Sequence, residues 1–337
     1  MSKRKVLIIG GGGYVGTELQ SYLIDKGFSV RVLDIFWYPD GKLPGSNGGI
    51  ESAIEYIQAD VRDISALKEA MNGISDCIHL ACISNDPSYE LDPGLSESIN
   101  YLAFETFISV LNESEIDRVI YASSSSVYGV KMELNVTEEL SCEPRTDYSK
   151  FKVACEKLLL TNAKSEITIS ILRPSTVCGV SKRQRFDLVV NALTINALTK
   201  GVINVDGGEQ YRPNLHIKDM VRAYTTLLDA DHALVHRQVF NVAGENLKVS
   251  EIAKLVQSSI KNAISINVVP VVDDRSYRVS GEKIKRVLGY SPKFTVYDAI
   301  IDIENAFING EFGDVLDDKF YNLRTMRNLL ESGGIAF

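Results

Sequence analysis

The chain opens with a short apolar run, Lys5-Val6-Leu7-Ile8-Ile9, that ends in Gly10-Gly11-Gly12-Gly13-Tyr14-Val15-Gly16. Gly10, Gly13 and Gly16 fall in the spacing G-x-x-G-x-x-G; residues 18–24 read as a helix and Val30-Arg31-Val32-Leu33-Asp34 as the next strand. A strand, a glycine turn and a helix in succession leave backbone N–H groups free at a helix start, where a diphosphate can sit. Asp34 closes the second strand, where it can accept bonds from both hydroxyls of an adenosine ribose and repel a 2′-phosphate. The unit therefore predicts an α/β fold with NAD as cofactor. A tight glycine turn in another kind of α/β protein is the competing reading.

The rhythm that follows supports the first reading. Segments 54–60, 77–81, 118–123 and 167–172 read as strands, and 65–71, 100–111 and 148–163 as the helices among them. Alternation of this kind predicts a Rossmann-type, doubly wound parallel sheet whose strand C-termini share one edge. We expect this domain over residues 1–180, with a returning segment near 214–250. Residues 181–337 then form mainly a smaller mixed α/β lobe that binds substrate. In it we expect helices at 186–199, 249–261 and 296–309, a strand at 264–271 and a turn-rich stretch at 201–213. The Gly- and Pro-rich loop 39–49 is expected to flank the adenosine end, with Trp37 as its cover or as a loop contact.

Bulk properties narrow the partners. A chain of 337 residues exceeds one usual core. Its 36 basic residues are outnumbered by 44 acidic ones, the formal charge is −8, and the basic residues form no dense block. This argues against a nucleic-acid or anionic-membrane partner. No apolar run approaches the length of a membrane span, and the basic start Met1-Ser2-Lys3-Arg4-Lys5 leads into the glycine turn rather than a signal sequence. Five scattered cysteines, Cys77, Cys82, Cys142, Cys155 and Cys178, suit a reducing, cytoplasmic setting. His79, His216, His232 and His236 form no ligand set with them, so no metal is expected and the histidines read as surface or packing residues.

The chemistry is carried by Tyr148-Ser149-Lys150-Phe151-Lys152, a Y-x-x-x-K on an expected helix. Residues four apart share a helix face, so the Lys152 ammonium can stand near the Tyr148 phenol and favour its ionisation. Tyr148 can then take a proton from a sugar or alcohol hydroxyl while hydride leaves the same carbon. The cluster Ser123-Ser124-Ser125-Ser126, at the end of the fifth strand, can place a hydroxyl on the same oxygen. An ordinary amphipathic helix also produces Y-x-x-x-K; its position behind a nucleotide fold and a serine cluster gives it weight.

Together these segments resemble the extended short-chain dehydrogenase/reductase family, within it the nucleotide-sugar epimerases and dehydratases. The resemblance adds Asp60-Val61-Arg62-Asp63, His79-Leu80-Ala81, Asn100, Tyr121 to Gly129 and Leu172-Arg173-Pro174. It implies Ser124 as the catalytic serine, Tyr148 as base and acid, and Lys152 as a second contact to the nicotinamide ribose. Gly10, Gly13, Tyr14, Val15, Gly16 and Asp34 would hold the cofactor, with Asp60 and Val61 at the adenine and Leu80 and Ala81 along its channel. Asn100 would support the structure behind the site. Dehydratases of the family carry Asp-Glu after the catalytic residue, where this chain has Ser125-Ser126, so the resemblance favours an epimerase acting at C4 through a transient 4-keto sugar. A dehydrogenase or 4-keto-sugar reductase uses the same triad and stays open; a 4,6-dehydratase or a non-catalytic NAD-binding protein is less favoured. The implied partner is a nucleotide-diphosphate sugar. Arg212, ahead of His216-Ile217-Lys218-Asp219, and Arg275 are candidates for its phosphates, against plain surface salt bridges. Arg185 either reaches phosphate or caps a loop. Ser84, Asn85, Ser124, Ser125 and Ser175 would face sugar hydroxyls; Ser175 stands where galactose-type epimerases commonly have Asn. A homodimer is expected through the Tyr148 helix, with Phe104, Phe107, Ile108, Val153, Leu158 and Leu159 as its apolar part or, equally, as internal packing.

Overall fold

A computed structural model describes residues 4–43, 54–261, 264–270 and 276–334. Its main sheet contains β1 (Lys5–Ile9), β2 (Ser29–Asp34), β3 (Ile54–Gln58), β4 (Asp76–His79), β5 (Arg118–Ala122) and β6 (Thr168–Pro174). Two further short strands, β7 (Thr176–Cys178) and β8 (Val202–Asp206), lead to β9 (Tyr211–His216) and then β10 (Gln238–Val242). The main sheet has the order β10-β6-β5-β4-β1-β2-β3, and every pairing in it is parallel. Val6 to Ile9, Val119 and Ile120 are buried because helices cover both faces, which is why these strands read as continuous apolar runs. The strand order reverses beside β1, whose neighbours are β2 and β4. That reversal opens a crevice at the C-terminal edge, where the glycine turn after β1 meets Leu80 and Ala81 after β4.

The helices begin where local chemistry allows. Asp63 caps Ile64–Met71 by accepting from the Ser65 and Ala66 amides. Thr146 and Ser149 form a reciprocal capping box at the start of Asp147–Asn162, which fixes the entry of the helix carrying Tyr148 and Lys152. Between β4 and β5 the expected helix is preceded by a π-helical turn, Ser98–Leu102, before Ala103–Glu113. Asn100 lies in that turn; its amide accepts from Ile83 N at 2.7 Å and donates to Ile83 O at 3.1 Å, bracing the loop that follows β4.

In the second half the sequence expectations need two corrections. The helix expected from 186 starts at Val189, because residues 181–188 form a loop docked on the crevice and Phe186 N bonds Phe320 O instead. The stretch read as turns over 201–213 contains β8 and the start of β9. Ile203 and Val205 face inward in alternation, and β8 pairs in parallel with β12 (Ser265–Val269). β9 pairs with β7 and with β11 (Asn246–Lys248) in a separate three-stranded sheet. Position 271 of the strand expected at 264–271, and residues 44–49 of the loop expected to flank the adenosine, lie outside the described residues.

The chain crosses between the two halves repeatedly. Helix Ile217–Asp229 packs Met220, Tyr224 and Leu227 into the core beneath β1 and β5, and β10 then joins the edge of the main sheet. The last helix, Asn322–Glu331, buries Met326 in the core of the nucleotide half. Phe104, Phe107, Ile108 and Leu159 are also buried in that core, the internal packing that is one of the two alternatives for them. Val153 and Leu158 are half-buried. Among the described residues, no helix is long and apolar enough to cross a membrane.

Candidate active site

A cleft of about 390 Å³ follows the C-terminal edge of the sheet from Asp34 to Tyr148. The glycines at its floor do different things. Gly10 has φ +82°, and a Cβ there would overlap the Ala81 backbone; one on Gly16 would overlap Gly11 O. Gly13 meets nothing nearer than Gly10 O at 3.7 Å and faces open space. It is the N-cap of helix Tyr14–Asp25, and no side chain caps that helix, so its first N–H groups are left for a ligand. At one side Asp34 accepts from Gly12 N at 2.8 Å and Phe36 N at 2.7 Å. Burial raises its pKa while these amides and Arg183 oppose the rise. Two close-packed glycines, one open glycine, an uncapped helix and an acid at the strand end fit a dinucleotide.

Tyr14, Val15, Asp60, Val61, Leu80 and Ala81 line the same cleft. Tyr14 does so from the first helical turn while its hydroxyl donates to Gly179 O at 2.7 Å, tying the turn to the loop after β7. Asp60 is held by Arg62 through bonds of 3.0 and 2.7 Å. Burial pushes its carboxyl up, but the Arg62 bonds outweigh this and its pKa is lowered. Trp37 lines the cleft as well.

At the far end Ser124, Tyr148 and Lys152 converge. Ser124 Oγ bonds the Tyr148 phenol and accepts from Ser126 N at 3.2 Å. Lys152 Nζ donates to Ala122 O at 2.7 Å and stands 5.8 Å from the Tyr148 ring centre. The Y-x-x-x-K spacing thus does bring the Lys152 ammonium to the Tyr148 ring. Burial raises the Tyr148 pKa above its ordinary value, Cys82 and Asp86 raise it further, and Ser124 and Arg185 oppose them. The Lys152 ammonium, bonded to the end of β5, keeps a cation beside this phenol.

Behind the serines lies a buried polar network that the sequence did not disclose. Glu156, one turn beyond Lys152, receives both Arg173 Nε at 2.9 Å and Arg173 Nη2 at 2.6 Å, and it accepts from Ser123 Oγ. Arg173 Nη1 also donates to Tyr128 Oη at 2.9 Å, which donates in turn to Asn241 Oδ1 at 2.7 Å. His79 is enclosed by Phe104, Phe107 and Tyr121, and burial lowers its pKa to about 3. It is a neutral packing residue.

The expected substrate residues divide. Ser84, Asn85, Ser124, Ser125, Ser175 and Arg185 all line the main cleft. Asn85 has φ +84° and its side chain caps the short helix Asp86–Tyr89 by accepting from Ser88 N. Ser175 Oγ is buried and has no hydrogen-bond partner among the described residues. Arg212 lies instead in an adjoining cavity of about 200 Å³, with Arg145 and Thr146; Ser126, Thr176 and Tyr277 border both spaces. Arg275 is outside the described residues. Sequence reasoning missed Arg145, Tyr277 and Asn322 as lining residues: Tyr277 and Asn322 come from distant segments, and Arg145, just ahead of the Tyr148 helix, belongs to no motif.

A doubly wound NAD-type fold with a Ser-Tyr-Lys end to its cleft defines a short-chain dehydrogenase-like class. The chain belongs to the NAD dependent epimerase/dehydratase family, whose model matches residues 6–243. It is 24% identical over 319 residues to the UDP-glucose 4-epimerase of Lactobacillus helveticus, covering 88% of this chain and 94% of that one. Among solved structures it is similar to the UDP-glucuronic acid 4-epimerase of Bacillus cereus in complex with UDP-glucuronic acid and NAD. That match has a TM-score of 0.79 at 23% identity and covers 89% of this chain and 99% of that one. It is also similar to DesIV, a dTDP-glucose 4,6-dehydratase from Streptomyces venezuelae. There the TM-score is 0.81 at 20% identity, with 93% of this chain and 100% of that one covered.

Proposed function

We propose that this protein is an NAD-dependent nucleotide-sugar epimerase acting at C4 through a transient 4-keto sugar. The carrying observation is a complete Ser124-Tyr148-Lys152 set with Ser125 and Ser126, rather than an acid pair, beside it. The relatives named as 4-epimerases of UDP-sugars favour the same reading. Gly10, Gly13, Tyr14, Val15, Gly16 and Asp34 would hold NAD, together with Asp60, Val61, Leu80, Ala81 and Lys152. When bound, NAD supplies the reversible hydride acceptor.

The protein's own part is proton handling and placement. Ser124 holds the sugar oxygen and orients the Tyr148 phenol. Tyr148 accepts the hydroxyl proton as the carbon is oxidised and returns it when the carbon is reduced on its other face. Lys152 anchors the helix to β5 through Ala122 O. Ser84, Asn85, Ser125 and Ser175 face the sugar, and Arg212 and Arg145 in the adjoining cavity take the nucleotide's phosphates, since a guanidinium fork matches phosphate oxygens. Asp86 is the carboxylate near Tyr148, so a dehydratase reading would have to make it the acid for loss of water.

The test is incubation with UDP-, GDP-, CDP- and dTDP-sugars in deuterated water, followed by NMR and absorbance at the NADH band. A C4 stereoisomer with no deuterium in the sugar and no net NADH is the expected result. Accumulating NADH makes the protein a dehydrogenase, and deuterium at C5 with loss of water makes it a dehydratase. We also propose a homodimer through the exposed Leu102 and the half-buried Tyr101, Phe151 and Leu158. Sedimentation of wild type against Leu102→Glu tests it. All five cysteines are free thiols, which fits the proposed cytoplasmic setting.

A further inference from the structure

The loop 181–188, between β7 and helix Val189–Lys200, is docked on the glycine-turn helix rather than on the lobe it leads into. Ser181 Oγ donates to Tyr14 O at 2.7 Å, and Lys182 N donates to Glu18 Oε1 at 2.9 Å. Arg183 N donates to Thr17 Oγ1 at 3.3 Å. These bonds carry two arginines to the uncapped start of that helix. Arg183 and Arg185 are buried, with relative exposures of 2% and 8%, and both line the cleft.

Each arginine is fixed on one side and unmatched on another. Arg183 stacks on Tyr38, 3.4 Å from the ring centre, and its Nη2 donates to Asn322 Oδ1 at 2.5 Å. Its Nε has no hydrogen-bond partner among the described residues. Arg185 Nε donates to Asp187 at 2.8 Å and its Nη1 to Ser84 Oγ at 3.3 Å, but its Nη2 also lacks a partner there. Burial lowers the Arg183 pKa to about 10, and Arg185 lowers it further while Tyr38 and Asp187 oppose. Two buried guanidiniums with orphaned N–H groups, lining the same cleft as the uncapped helix start, are costly unless an anion completes them. A diphosphate offers the charge and the acceptor oxygens for both.

We propose that Arg183 and Arg185 form a clamp on the diphosphate of the bound dinucleotide, closing its cleft beside the helix that follows the glycine turn. This rests on the reading of the cleft as an NAD site, and it assigns Arg185 to the cofactor rather than to the sugar nucleotide. Asn322 and Tyr38 position Arg183; Asp187 and Ser84 position Arg185. An epimerase gains from such a clamp because its dinucleotide must stay bound through both hydride transfers.

The experiment compares wild type with Arg183→Gln and Arg185→Gln, and with the Lys counterpart of each. Dinucleotide carried through purification is released by heat and quantified, and its dissociation from the holoenzyme is followed by chase with labelled NAD. Calorimetry then gives affinities for NAD, ADP-ribose, adenosine and UDP. Each Gln variant is expected to weaken NAD and ADP-ribose by about 10- to 100-fold. Adenosine and UDP should be unaffected, and Lys should recover part of the loss. Unchanged NAD and ADP-ribose affinities overturn the clamp. So does a loss confined to UDP, which returns the arginines to the substrate, or an equal loss for adenosine, which marks general collapse of the cleft. A wild-type protein that neither carries nor takes up NAD overturns the underlying reading as well.

Discussion

Replacing Arg173 by Met should destabilise the fold far more than removing the whole ion pair. The side chains of Arg173 and Glu156 are 8% and 5% exposed, and the guanidinium meets both carboxylate oxygens. Taking Arg173 away leaves Glu156 charged in the interior with Ser123 Oγ as its remaining donor, and leaves Tyr128 without one of its two partners. Breaking a buried pair in this way costs about 3–5 kcal/mol. At about 2.1 cal/mol/K per residue, 337 residues give an unfolding entropy near ~0.7 kcal/mol/K, so the midpoint should fall by roughly 4–7 °C. The double variant Glu156→Leu/Arg173→Met removes both charges and should recover most of that loss. Thermal and urea unfolding of the four proteins of this cycle measures the coupling. A single variant within about 1 kcal/mol of wild type, or a double variant as damaged as the sum of the singles, refutes the claim that this pair is a desolvated unit.

Tyr148→Phe keeps the ring and deletes the proton carrier, so turnover should drop by about 10²–10⁴. NAD binding should persist, and wild-type turnover on the true substrate would sink the mechanism. Asp34→Ala should weaken NAD and relax the exclusion of NADP, read as the ratio of the two affinities; an unchanged ratio removes Asp34 from the ribose. His79 titrates near 6.5 in the unfolded chain and near about 3 in the folded one. The unfolded state therefore binds the extra proton between these values, and stability is lost as pH falls below about 6.5. The loss at pH 5 is about 2 kcal/mol, and His79→Phe should flatten that part of the stability–pH curve.

The legible parts of the fold were those whose physics is local. The glycine turn, the six strands up to Pro174 and the Tyr148 helix each announce themselves through an apolar run, a cap or a spacing. Asp34 and Lys152 line the cleft where a strand end and a helix face place them, and Ser124 lies within the serine cluster that ends β5, singled out there by the family resemblance. The illegible parts depend on partners far away in sequence. β8 looks like a turn-rich stretch until β12 pairs with it, and residues 181–188 look like a helix start until Tyr14 and Thr17 bond them. Arg212 was assigned from a neighbouring motif, but the strand that carries it turns it toward a second cavity shared with Arg145. The spacing reports the nearness of Lys152 to Tyr148 and says nothing of Ala122 O, which accepts from the ammonium.

The two walls of the cleft are built with different stiffness, and this bears on which reaction fits. Tyr148 and Lys152 stand on a capped helix and Ser124 caps the turn just after β5, cross-linked by the Lys152–Ala122 bond and the Glu156–Arg173 pair. Of the other sugar-facing groups, Ser84 and Ser175 stand on loops after β4 and β6, and Ser125 opens the short turn that Ser124 caps. Ser175 Oγ has no protein partner among the described residues, and Ser125 reaches Tyr277 only at 3.4 Å. Epimerisation asks for this division. The reacting oxygen must return to the same phenol after the ring has presented its other face, so the groups that hold that oxygen must not move. The groups that meet the rest of the sugar must instead exchange partners as it turns. Short hydroxyls can do this at little cost, whereas an arginine fork on the ring would bind one orientation and penalise the other.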